Sequence, residues 1–492
     1  MYRLILGQET RTMVRTGALW SILVLQILAI AFAAWSGGRS VSRQVAGAND
    51  AATYEAGLRD KMRQETAEYE EKVDATGGDY EFATVRHAPG KGPPQGTNAG
   101  AVGAETAAYV ALPPTGLAAL SIGQSDIQLN YLPITMGATL AMTRNAELEN
   151  PVNLLTGSFD IAFVVIFLLP IFILAMTYDL LSGEQERGTL AMVLAHPISL
   201  REFVASKLIA RAMVILAVVI GFGLLAVLTV GTQLGTADTW LRFGLWIIAT
   251  LLYSMFWFAL AVLVNVYGRS SATNGTILAG AWLILVVIVP TLIGLVATTI
   301  YPAPSRMDLT VAAREAQTAA EKNMNTSLDA FYAEHMENVP AGDQRAMDFM
   351  TLGQASANTI DKALSPLYAD FRVRLDQQQS LVQRFQFLSP AVMMQLALNE
   401  IAGTSRDRYE DFLRQAAAFR TEWKNYFAGR FLRREPLRPA DYASFPSFHY
   451  QPETLGTMLL RLAPSLLGLL VLLLGVALLP FFGIRRYQVA AR

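Results

Sequence analysis

The chain has 492 residues, of which 53% are hydrophobic and only 16% are charged, whereas a soluble domain carries about 25% charged residues. Its formal net charge is −1, so bulk charge gives no reason to expect a nucleic-acid partner. No cysteine is present, which excludes disulfides, thiolate metal sites and cysteine nucleophiles.

Six uncharged apolar runs are each long enough to cross a bilayer, which requires about 20 residues. The second run is the shortest, but the flanking residues Phe159, Leu180 and Leu181 extend it. The first run has a basic start, like a signal peptide, but its apolar stretch is longer and no A-x-A-like site clearly follows it, so we interpret it as a retained helix. The predicted membrane helices lie within Thr16–Gly38, Ile161–Tyr178, Ala212–Ala237, Phe243–Gly268, Ser270–Ser305 and Leu462–Ile484.

Two long segments interrupt the series of apolar runs, at residues 39–157 and 300–455. The first opens with VAGANDAATYEAGLRDKMRQETAEYEEKVDA, which predicts an exposed helix that continues the first membrane helix. The Gly/Pro-rich HAPGKGPPQGTNAG must be a loop, and short strands or turns are expected after it. The second segment has helical spacing in several stretches, which predicts a small helical bundle, either a solvated insertion or a domain that contacts a substrate or partner.

A polar stretch, LLSGEQERGTLAMVLAHPISLREFVASK, separates the second and third apolar runs. Thr189 is predicted to cap a short helix, Leu190–His196, which ends near Pro197. Ser199 and Glu202 then fit the S-x-x-E capping box of a second helix, which leads into the third run. The stretch therefore predicts an elbow of two helices.

The first helix of this elbow carries an apolar stripe of Leu190, Val193 and Leu194, but it is too short to be stable alone. The stripe needs a surface to pack against, which is either the membrane surface or a groove on a partner protein. Glu184, Glu186 and Arg187 are expected to act as polar handles for docking, and Gly188 to permit the sharp entry into the elbow.

Basic residues indicate the orientation of the chain in the membrane. Arginines precede the first run and follow the sixth, Arg269 lies between the fourth and fifth, and the elbow carries Arg187, Arg201, Lys207 and Arg211. With both termini in the cytoplasm, all of these residues fall on one side. The elbow is then cytoplasmic and the two long insertions are external.

The sequence ERGTLAMVLAHPISLREFVASK is similar to a cytoplasmic loop of ABC-2-type transporter permeases. In that family an acidic residue, a basic residue, Gly-Thr-Leu, and then Pro and Ser recur before a helix that ends in Lys. Other stretches, including GQSDIQLNYLP and LSPAVMMQLALNEIAGTSRDRYEDFLRQ, resemble the branch with large external insertions, the DUF3526 permeases, which are related to NosY-like permeases. Together the resembling stretches touch most of the chain. The matching positions in the loop are Glu186, Arg187, Gly188, Thr189, Leu190, Pro197, Ser199 and Lys207.

This resemblance implies that residues 183–203, approximately, form a coupling helix that enters a cleft of a separate ATP-binding subunit. It implies no cofactor in this chain, with ATP and Mg bound by that partner, and a second permease as a further partner, either a second copy or a sister chain. The P-loop pattern G-x-x-x-x-G-K-[ST] does not occur in the sequence, so ATPase activity is expected on another polypeptide. The predicted coupling residues are Glu184, Glu186, Arg187, Gly188, Thr189, Leu190, Val193, Leu194 and Pro197.

The predicted architecture is an all-α membrane protein of a bacterial inner membrane, with six transmembrane helices and two large external insertions, the second a helical bundle. The predicted parts are the N-terminus and first span (1–38), the first insertion (39–157), spans two to five (158–299), the second insertion (300–455), and the sixth span with the C-terminus (456–492).

Three functions are compatible with this architecture. The first is the permease of an ATP-driven transporter, most simply an exporter of a lipid-like or amphipathic substrate. The second is a membrane subunit that transmits force to a periplasmic or envelope partner without moving a solute. The third, a membrane enzyme, has no catalytic signature in the sequence.

A few polar residues near the spans are given structural roles. Asp160, Asp179 and Arg461 lie at span ends, where snorkelling would suffice. Asn265 is expected to bridge helices. Prolines such as Pro170 are expected to bend their helices. The four histidines have no zinc-site spacing, and His196 is expected at the carbonyl end of the first elbow helix.

Overall fold

The protein is described here from a computed structural model. The structure describes residues 2–15, 17–83, 92–126, 128–137, 159–195, 199–268, 270–334 and 349–484. Within these ranges, six helices are long and apolar enough to cross a membrane. They coincide with the six predicted runs, so the prediction of an all-α, six-span membrane protein is confirmed.

The regular elements in chain order are α1 (Tyr2–Arg15), α2 (Gly17–Thr76), α3 (Ala99–Glu105), β1 (Ala108–Ala111), β2 (Tyr131–Ile134), α4 (Ile161–Phe163, a π-helical turn Val164–Leu168, and Leu169–Thr177), α5 (Ser182–Glu186), α6 (Thr189–Leu194), α7 (Leu200–Val230), α8 (Ala237–Tyr267), α9 (Ser271–Trp282, a π-helical turn Leu283–Ile288, and Val289–Ile300), α10 (Arg306–Lys322), α11 (Met324–Glu334), α12 (Phe349–Phe385), α13 (Pro390–Ala402), α14 (Arg406–Leu432) and α15 (Leu455–Ile484). Short 3₁₀ turns lie at Gln95–Thr97, Gln386–Leu388 and Pro439–Ser444. The side of the bundle that bears α5 and α6 is called the elbow side, and the opposite side is called the insertion side.

Helix α8 is at the centre of the membrane bundle. Its side chains Trp246, Tyr253 and Trp257 are each at most 1% exposed, and the helix packs against α4, α7, α13 and α15. Gly223 of α7 faces the Trp246 ring so closely that an added Cβ would lie 2.7 Å from it. Small residues allow this kind of close approach between membrane helices, where dispersion replaces the hydrophobic effect as the main attraction.

Helix α2 is a single helix of 60 residues that crosses the membrane and continues beyond it. At 1.5 Å per residue it is about 90 Å long, far more than the roughly 30 Å of a bilayer core. The predicted continuation of the first membrane helix is therefore confirmed. The outer half of α2 packs against β1 and the turns at Gln95–Thr97 and Pro439–Ser444.

The two insertions share one hydrophobic core on the insertion side. Trp423 and Phe427 of α14 are fully buried, with ring centroids 4.7 Å apart, and the Trp423 indole donates to the carbonyl of Gly103 in the first insertion at 3.3 Å. Strands β1 and β2 form an antiparallel pair in the same core. Helices α10, α11 and α12 form a helical arm beside this core, with Leu309 of α10 and Leu364 of α12 buried in one cluster and Leu328 of α11 and Ala355 of α12 in another.

Each of the two π-helical turns in the spans precedes a proline, Pro170 in α4 and Pro290 in α9. Proline has no backbone N–H, so it leaves a carbonyl of the preceding turn without its helical donor. Sharp irregularities in helices commonly have this cause. The prediction that Pro170 bends its helix is thus refined: the distortion is a widened turn.

Side chains from other elements donate to carbonyls of these widened turns. The hydroxyl of Tyr253 donates to the carbonyl of Ile166 at 2.8 Å, and the indole of Trp282 donates to the carbonyl of Phe167 at 3.1 Å. Ser389, which caps the N-terminus of α13, donates to the carbonyl of Leu285 at 2.5 Å. In hydrocarbon these backbone groups have no water to bind, so the side-chain donors stabilise the widened turns.

Helix α13 enters the bundle from the insertion side and packs against α8, α15 and both π-helical turns. Met393, Leu398 and Ile401 are fully buried there. We call α13 the inserted helix. Its 13 residues are too few to cross the membrane, and no sequence pattern predicted that an element of the second insertion would lie within the bundle.

The carbonyl end of the inserted helix is held by side chains from three other parts of the chain. Arg242 donates to the carbonyls of Glu400 and Ile401 at 3.4 and 3.1 Å. Thr115 donates to the carbonyl of Ala402, and Arg408 donates to the carbonyl of Gly403 at 2.8 Å. Positive charges at a helix C-terminus are stabilising because they face the negative end of its dipole.

The charged residues at the span ends have partners within the chain, which corrects the expectation that they snorkel. Asp160 is only 4% exposed and accepts hydrogen bonds from the backbone N–H groups of Phe163 and Ile122, each at 2.7 Å. Arg461 donates to the carboxylate of Glu400 at 2.6 Å. Asp179 pairs with a basic residue of α7, described below.

Candidate coupling site

The elbow between α4 and α7 turns sharply at Gly188, which has a φ of +70°. Its N–H donates to the carbonyl of Gln185 at 3.1 Å, which closes the end of α5. A residue with a side chain is strained at this φ, so the expectation that Gly188 permits the turn is confirmed. Helix α6 begins at Thr189 itself and ends at Leu194.

Leu190, the member of the elbow's apolar stripe whose side chain the structure describes, packs on the chain's own membrane helices. Leu190 is 3% exposed, so it lies neither on the membrane surface nor in a partner's groove, the two alternatives that its pattern suggested. A third possibility, the elbow-side ends of neighbouring spans, is the one that the structure shows. The cluster around Leu190 consists of Leu180, Leu181, Phe203, Val204, Val262 and Val266.

An ion-pair network joins the elbow to α7 and to α1. Lys207, on α7, lies 2.7 Å from the carboxylate of Glu184 and 3.9 Å from that of Glu9 in α1. Arg211, one turn further along α7, lies 3.2 Å from Glu9 and 3.3 Å from Asp179. Because the Lys207 side chain is only 6% exposed, removal of one carboxylate would leave its charge poorly compensated.

Thr189 strengthens the same network from within the elbow. Its hydroxyl donates to the carboxylate of Glu184 and, at 3.2 Å, to the Glu184 carbonyl. The hydroxyl therefore binds backwards to α5, a different role from the helix cap expected from the sequence. Arg187 also binds within the elbow, since its Nε donates to the carbonyl of Gly183 at 2.8 Å.

A second network, built from amides and hydroxyls, joins the elbow to α8 and α9. Asn265 of α8 is 1% exposed; its amide donates to the carbonyl of Thr177 at 2.9 Å, and its oxygen accepts from the N–H of Leu181 at 3.2 Å. Asn274 of α9 donates to the hydroxyl of Ser182 at 3.2 Å. The prediction that Asn265 bridges helices is confirmed.

Glu186 completes this second network at its exposed edge. Its carboxylate accepts from the backbone N–H of Ser271 at 2.7 Å and from the Ser271 hydroxyl at 3.0 Å. Ser271 opens α9, so the carboxylate lies at the positive end of that helix dipole. The Ser182 and Ser271 hydroxyls are 2.9 Å apart. The elbow is therefore attached to the first turn of α9 as well as to α7.

The remaining predicted elbow residues are described only in part. The backbone of Val193 and Leu194 lies in α6, but their side chains are outside the described residues, as are His196 and Pro197 altogether. Beyond this gap, the predicted capping box is confirmed: Ser199 accepts from the N–H of Glu202, and the Glu202 carboxylate accepts from the N–H of Ser199.

Several members of the site had no distinctive signal in the sequence. Glu9, Ser271 and Asn274 lie far from the elbow along the chain and belong to no pattern that the elbow shows. Arg211 was recognised only as a positive charge, and Lys207 as a positive charge and a matching position of the resembling loop. Within the described residues, no group of three or more His, Asp or Glu side chains could hold a metal ion.

Six apolar helices define a multi-pass membrane protein. Its polar elbow follows α4 directly and is bonded to α7, α8 and α9, so this surface segment is mechanically joined to the spans. Residues 3–488 match the family model of the ABC-2 family transporter protein. The chain belongs to this family, and it is an ABC-2-type permease.

Two curated relatives bear the name "Probable ABC transporter permease protein NosY". The protein from Stutzerimonas stutzeri is 28% identical over 134 residues, covering 26% of this chain and 48% of the relative. The protein from Pseudomonas aeruginosa is 28% identical over 125 residues, covering 25% of this chain and 46% of the relative. The chain thus spans about half the length of each of these relatives.

Proposed function

We propose that this permease is the membrane subunit of an ABC exporter in the cytoplasmic membrane of a bacterium. ATP hydrolysis takes place on a separate ATP-binding subunit, which docks on the elbow. This chain carries no ATP or Mg itself. The elbow side, with both termini, is cytoplasmic, and the insertion side is periplasmic.

The observation that supports this proposal best is the double attachment of the elbow. Glu184 connects it to Lys207 on α7 at 2.7 Å, and Glu186 connects it to Ser271 on α9 at 2.7 Å. A surface segment tied in this way moves with the helices that it joins. A push on the elbow by an ATP-binding subunit is then shared between α7 and α9 instead of being absorbed by the elbow itself.

The exposed surface of the elbow supplies the docking groups. Gln185, Glu186, Arg187 and Gly188 are exposed, and Met192 on α6 is 69% exposed. These residues present charge beside an apolar side chain, a combination suited to a protein cleft with a polar rim. In this proposal the internal hydrogen bonds of Glu186 and Arg187 hold the docking surface in one geometry, which limits the entropy lost on binding.

A second permease completes the assembly in this proposal, as a homodimer or with a sister chain. Six spans form half of a transport pathway, and the largely apolar interior of the bundle fits a lipid-like or amphipathic substrate better than a small ion.

One feature favours a second candidate function, force transmission to a periplasmic partner. The inserted helix contacts both π-helical turns within the bundle, and its carbonyl end is bound by Thr115 and Arg408, which belong to the two insertions. Movement of the spans would therefore reach the insertions directly, without passage of a solute.

Two experiments test these proposals. A tagged permease, co-expressed with a candidate ATP-binding subunit from the same organism, should retain that subunit through purification and raise its ATPase rate after reconstitution. Failure of both would contradict the proposed function. In sealed vesicles that contain only these two proteins, ATP-dependent movement of a labelled amphiphile indicates export, whereas ATP hydrolysis without movement indicates force transmission.

A further inference from the structure

The tip of the helical arm descends beside α9 on the insertion side. Gln378 of α12 donates to the carbonyl of Tyr301, just beyond the end of α9, at 2.6 Å. Further down, Ser389 donates to the carbonyl of Leu285, in the middle of α9. Residues 378–389, called the descending segment, therefore run antiparallel to the second half of α9 over about 17 Å, at 1.5 Å per residue.

This depth lies within the apolar layer. Over the same stretch of α9, the large exposed side chains are apolar, with Leu292 52%, Leu295 60% and Ile300 54% exposed. The exposed threonines there, Thr291, Thr298 and Thr299, donate their hydroxyls to backbone carbonyls of the same helix. Such a surface faces lipid chains or another apolar partner. The lower end of the descending segment matches it, since Phe385, Phe387 and Leu388 are 43%, 47% and 59% exposed.

One charged residue interrupts this apolar surface. Arg384 is the only charged residue between Asp376 and Glu400 in the sequence. It lies in the last turn of α12 and is exposed. The preceding acidic residue, Asp376, is already paired with Arg406 at 2.7 Å. Within the described part of the chain, Arg384 has no ion pair.

The direction of α12 determines where the Arg384 charge lies. Side chains on a helix point towards its N-terminus, and the N-terminus of α12 is on the insertion side. Arg384 lies six residues below Gln378, or about 9 Å at 1.5 Å per residue, and its long side chain extends back up over part of that distance. We therefore expect the guanidinium to reach towards the lipid headgroups, above the three apolar side chains.

We propose that Arg384 and the apolar tip below it form a binding site for an anionic phospholipid in the leaflet on the insertion side. The guanidinium binds the phosphate with charge-assisted hydrogen bonds, and Phe385, Phe387 and Leu388 contact the acyl chains. This inference takes only the outer-leaflet location from the proposed function. The binding itself requires neither ATP nor an ATP-binding subunit.

The charge requirement is tested with the full-length permease alone, by native mass spectrometry after incubation with phosphatidylglycerol, phosphatidylcholine or inorganic phosphate. Wild type should retain phosphatidylglycerol in preference to phosphatidylcholine. Arg384→Gln should weaken phosphatidylglycerol binding about fivefold, the effect of one basic residue near an anionic membrane surface, and Arg384→Lys should retain most of it. Arg372→Gln, on the same helix and above the descending segment, is the matched control and should bind as wild type.

The location is tested with a spin label at Leu388→Cys, which is unique because the chain has no cysteine. The label should be relaxed strongly by oxygen and weakly by a water-soluble nickel chelate, as expected in hydrocarbon.

Wild-type binding by Arg384→Gln would overturn the proposal, as would displacement of the lipid by millimolar inorganic phosphate. A label protected from both reagents and close to the same label on a second copy would overturn it in favour of an interface between copies. The two proposals fail separately. If the permease bound lipid as expected but did not stimulate an ATPase, the lipid site would stand and the proposed coupling would be contradicted.

Discussion

Gly188 is the residue on which the shape of the elbow depends. Its φ of +70° strains any residue with a side chain, although an added Cβ would meet no atom within 4 Å. We therefore expect Gly188→Ala to cost about 1 kcal/mol through backbone strain alone, and to lower ATPase stimulation by the permease. Gly188→Pro should abolish stimulation, because it also removes the N–H that binds Gln185.

Asparagine provides the discriminating control at this position, because it tolerates a positive φ better than alanine does. Gly188→Asn should thus restore part of the stimulation that Gly188→Ala loses. Gly244→Ala, within helix α8 and equally open, should leave stimulation unchanged. If alanine and asparagine were equally harmful at position 188, the conformational explanation would be wrong.

Asp160 predicts a dependence of stability on pH. Burial raises the pKa of this carboxyl group from 3.8 to about 6, against the opposing effect of its backbone hydrogen bonds to Phe163 and Ile122. Between these two values the folded protein holds a proton that the unfolded chain releases. The free energy of unfolding should therefore fall as the pH rises from about 4 to about 6, and this contribution should be constant above that.

Chemical denaturation in micelles, repeated across this pH range, measures the effect. Asp160→Asn cannot titrate but retains an oxygen that can accept from Phe163, so the difference in unfolding free energy between wild type and variant should vary with pH only in this window. A constant difference from pH 4 to pH 7 would contradict the assignment.

At the scale of single residues, the sequence indicated roles but seldom partners. The positive φ of Gly188 and the reciprocal bonds of Ser199 and Glu202 follow from local chemistry, which a sequence pattern carries. The pairing of Lys207 with Glu9 does not, because it joins residues about 200 positions apart through the packing of α1 on α7.

Among the elements, the π-helical turn of α4 makes a prediction about hydrogen bonds. Tyr253→Phe removes the donor to the Ile166 carbonyl and should destabilise the bundle by about 1 kcal/mol. Pro170→Ala restores a backbone N–H within α4 itself, so the carbonyl no longer depends on Tyr253. The loss of stability caused by Tyr253→Phe should therefore be smaller in a protein that also carries Pro170→Ala.

A double-mutant cycle of the two substitutions, followed by denaturant-induced unfolding in micelles, measures this dependence. The expected coupling free energy is a large fraction of the change in unfolding free energy that Tyr253→Phe causes alone. Strict additivity would show that Tyr253 does not compensate for the proline.

The elements themselves were largely predictable, with one informative exception. Apolar runs of about 20 residues can satisfy their backbone in lipid only as helices, so composition alone identified the six spans. The inserted helix escaped this reasoning because PAVMMQLALNEIA is too short to cross a membrane and includes the polar residues Gln395, Asn399 and Glu400. Its position depends on Ser389, Arg242 and other partners distant in the chain.

At the scale of the whole molecule, the sequence suggested separate segments, whereas the structure has two connected halves, the joined insertions and the elbow side of the bundle. The insertions form one unit around Trp423 and Phe427, and the inserted helix carries that unit into the bundle. On the elbow side, α1, α7, α8 and α9 are joined through the elbow. Non-local packing of this kind decides which parts move together, and no single stretch of sequence contains it.

The account as a whole depends on the elbow being the surface where an ATP-binding subunit acts. A photo-crosslinking amino acid at Met192, on the exposed side of α6, tests this most directly in membranes that contain both proteins. The same amino acid at Trp20, which is 54% exposed on α2, serves as the lipid-facing control. We predict that position 192 captures the ATP-binding subunit and that position 20 captures lipid; capture of lipid alone at position 192 would contradict the account.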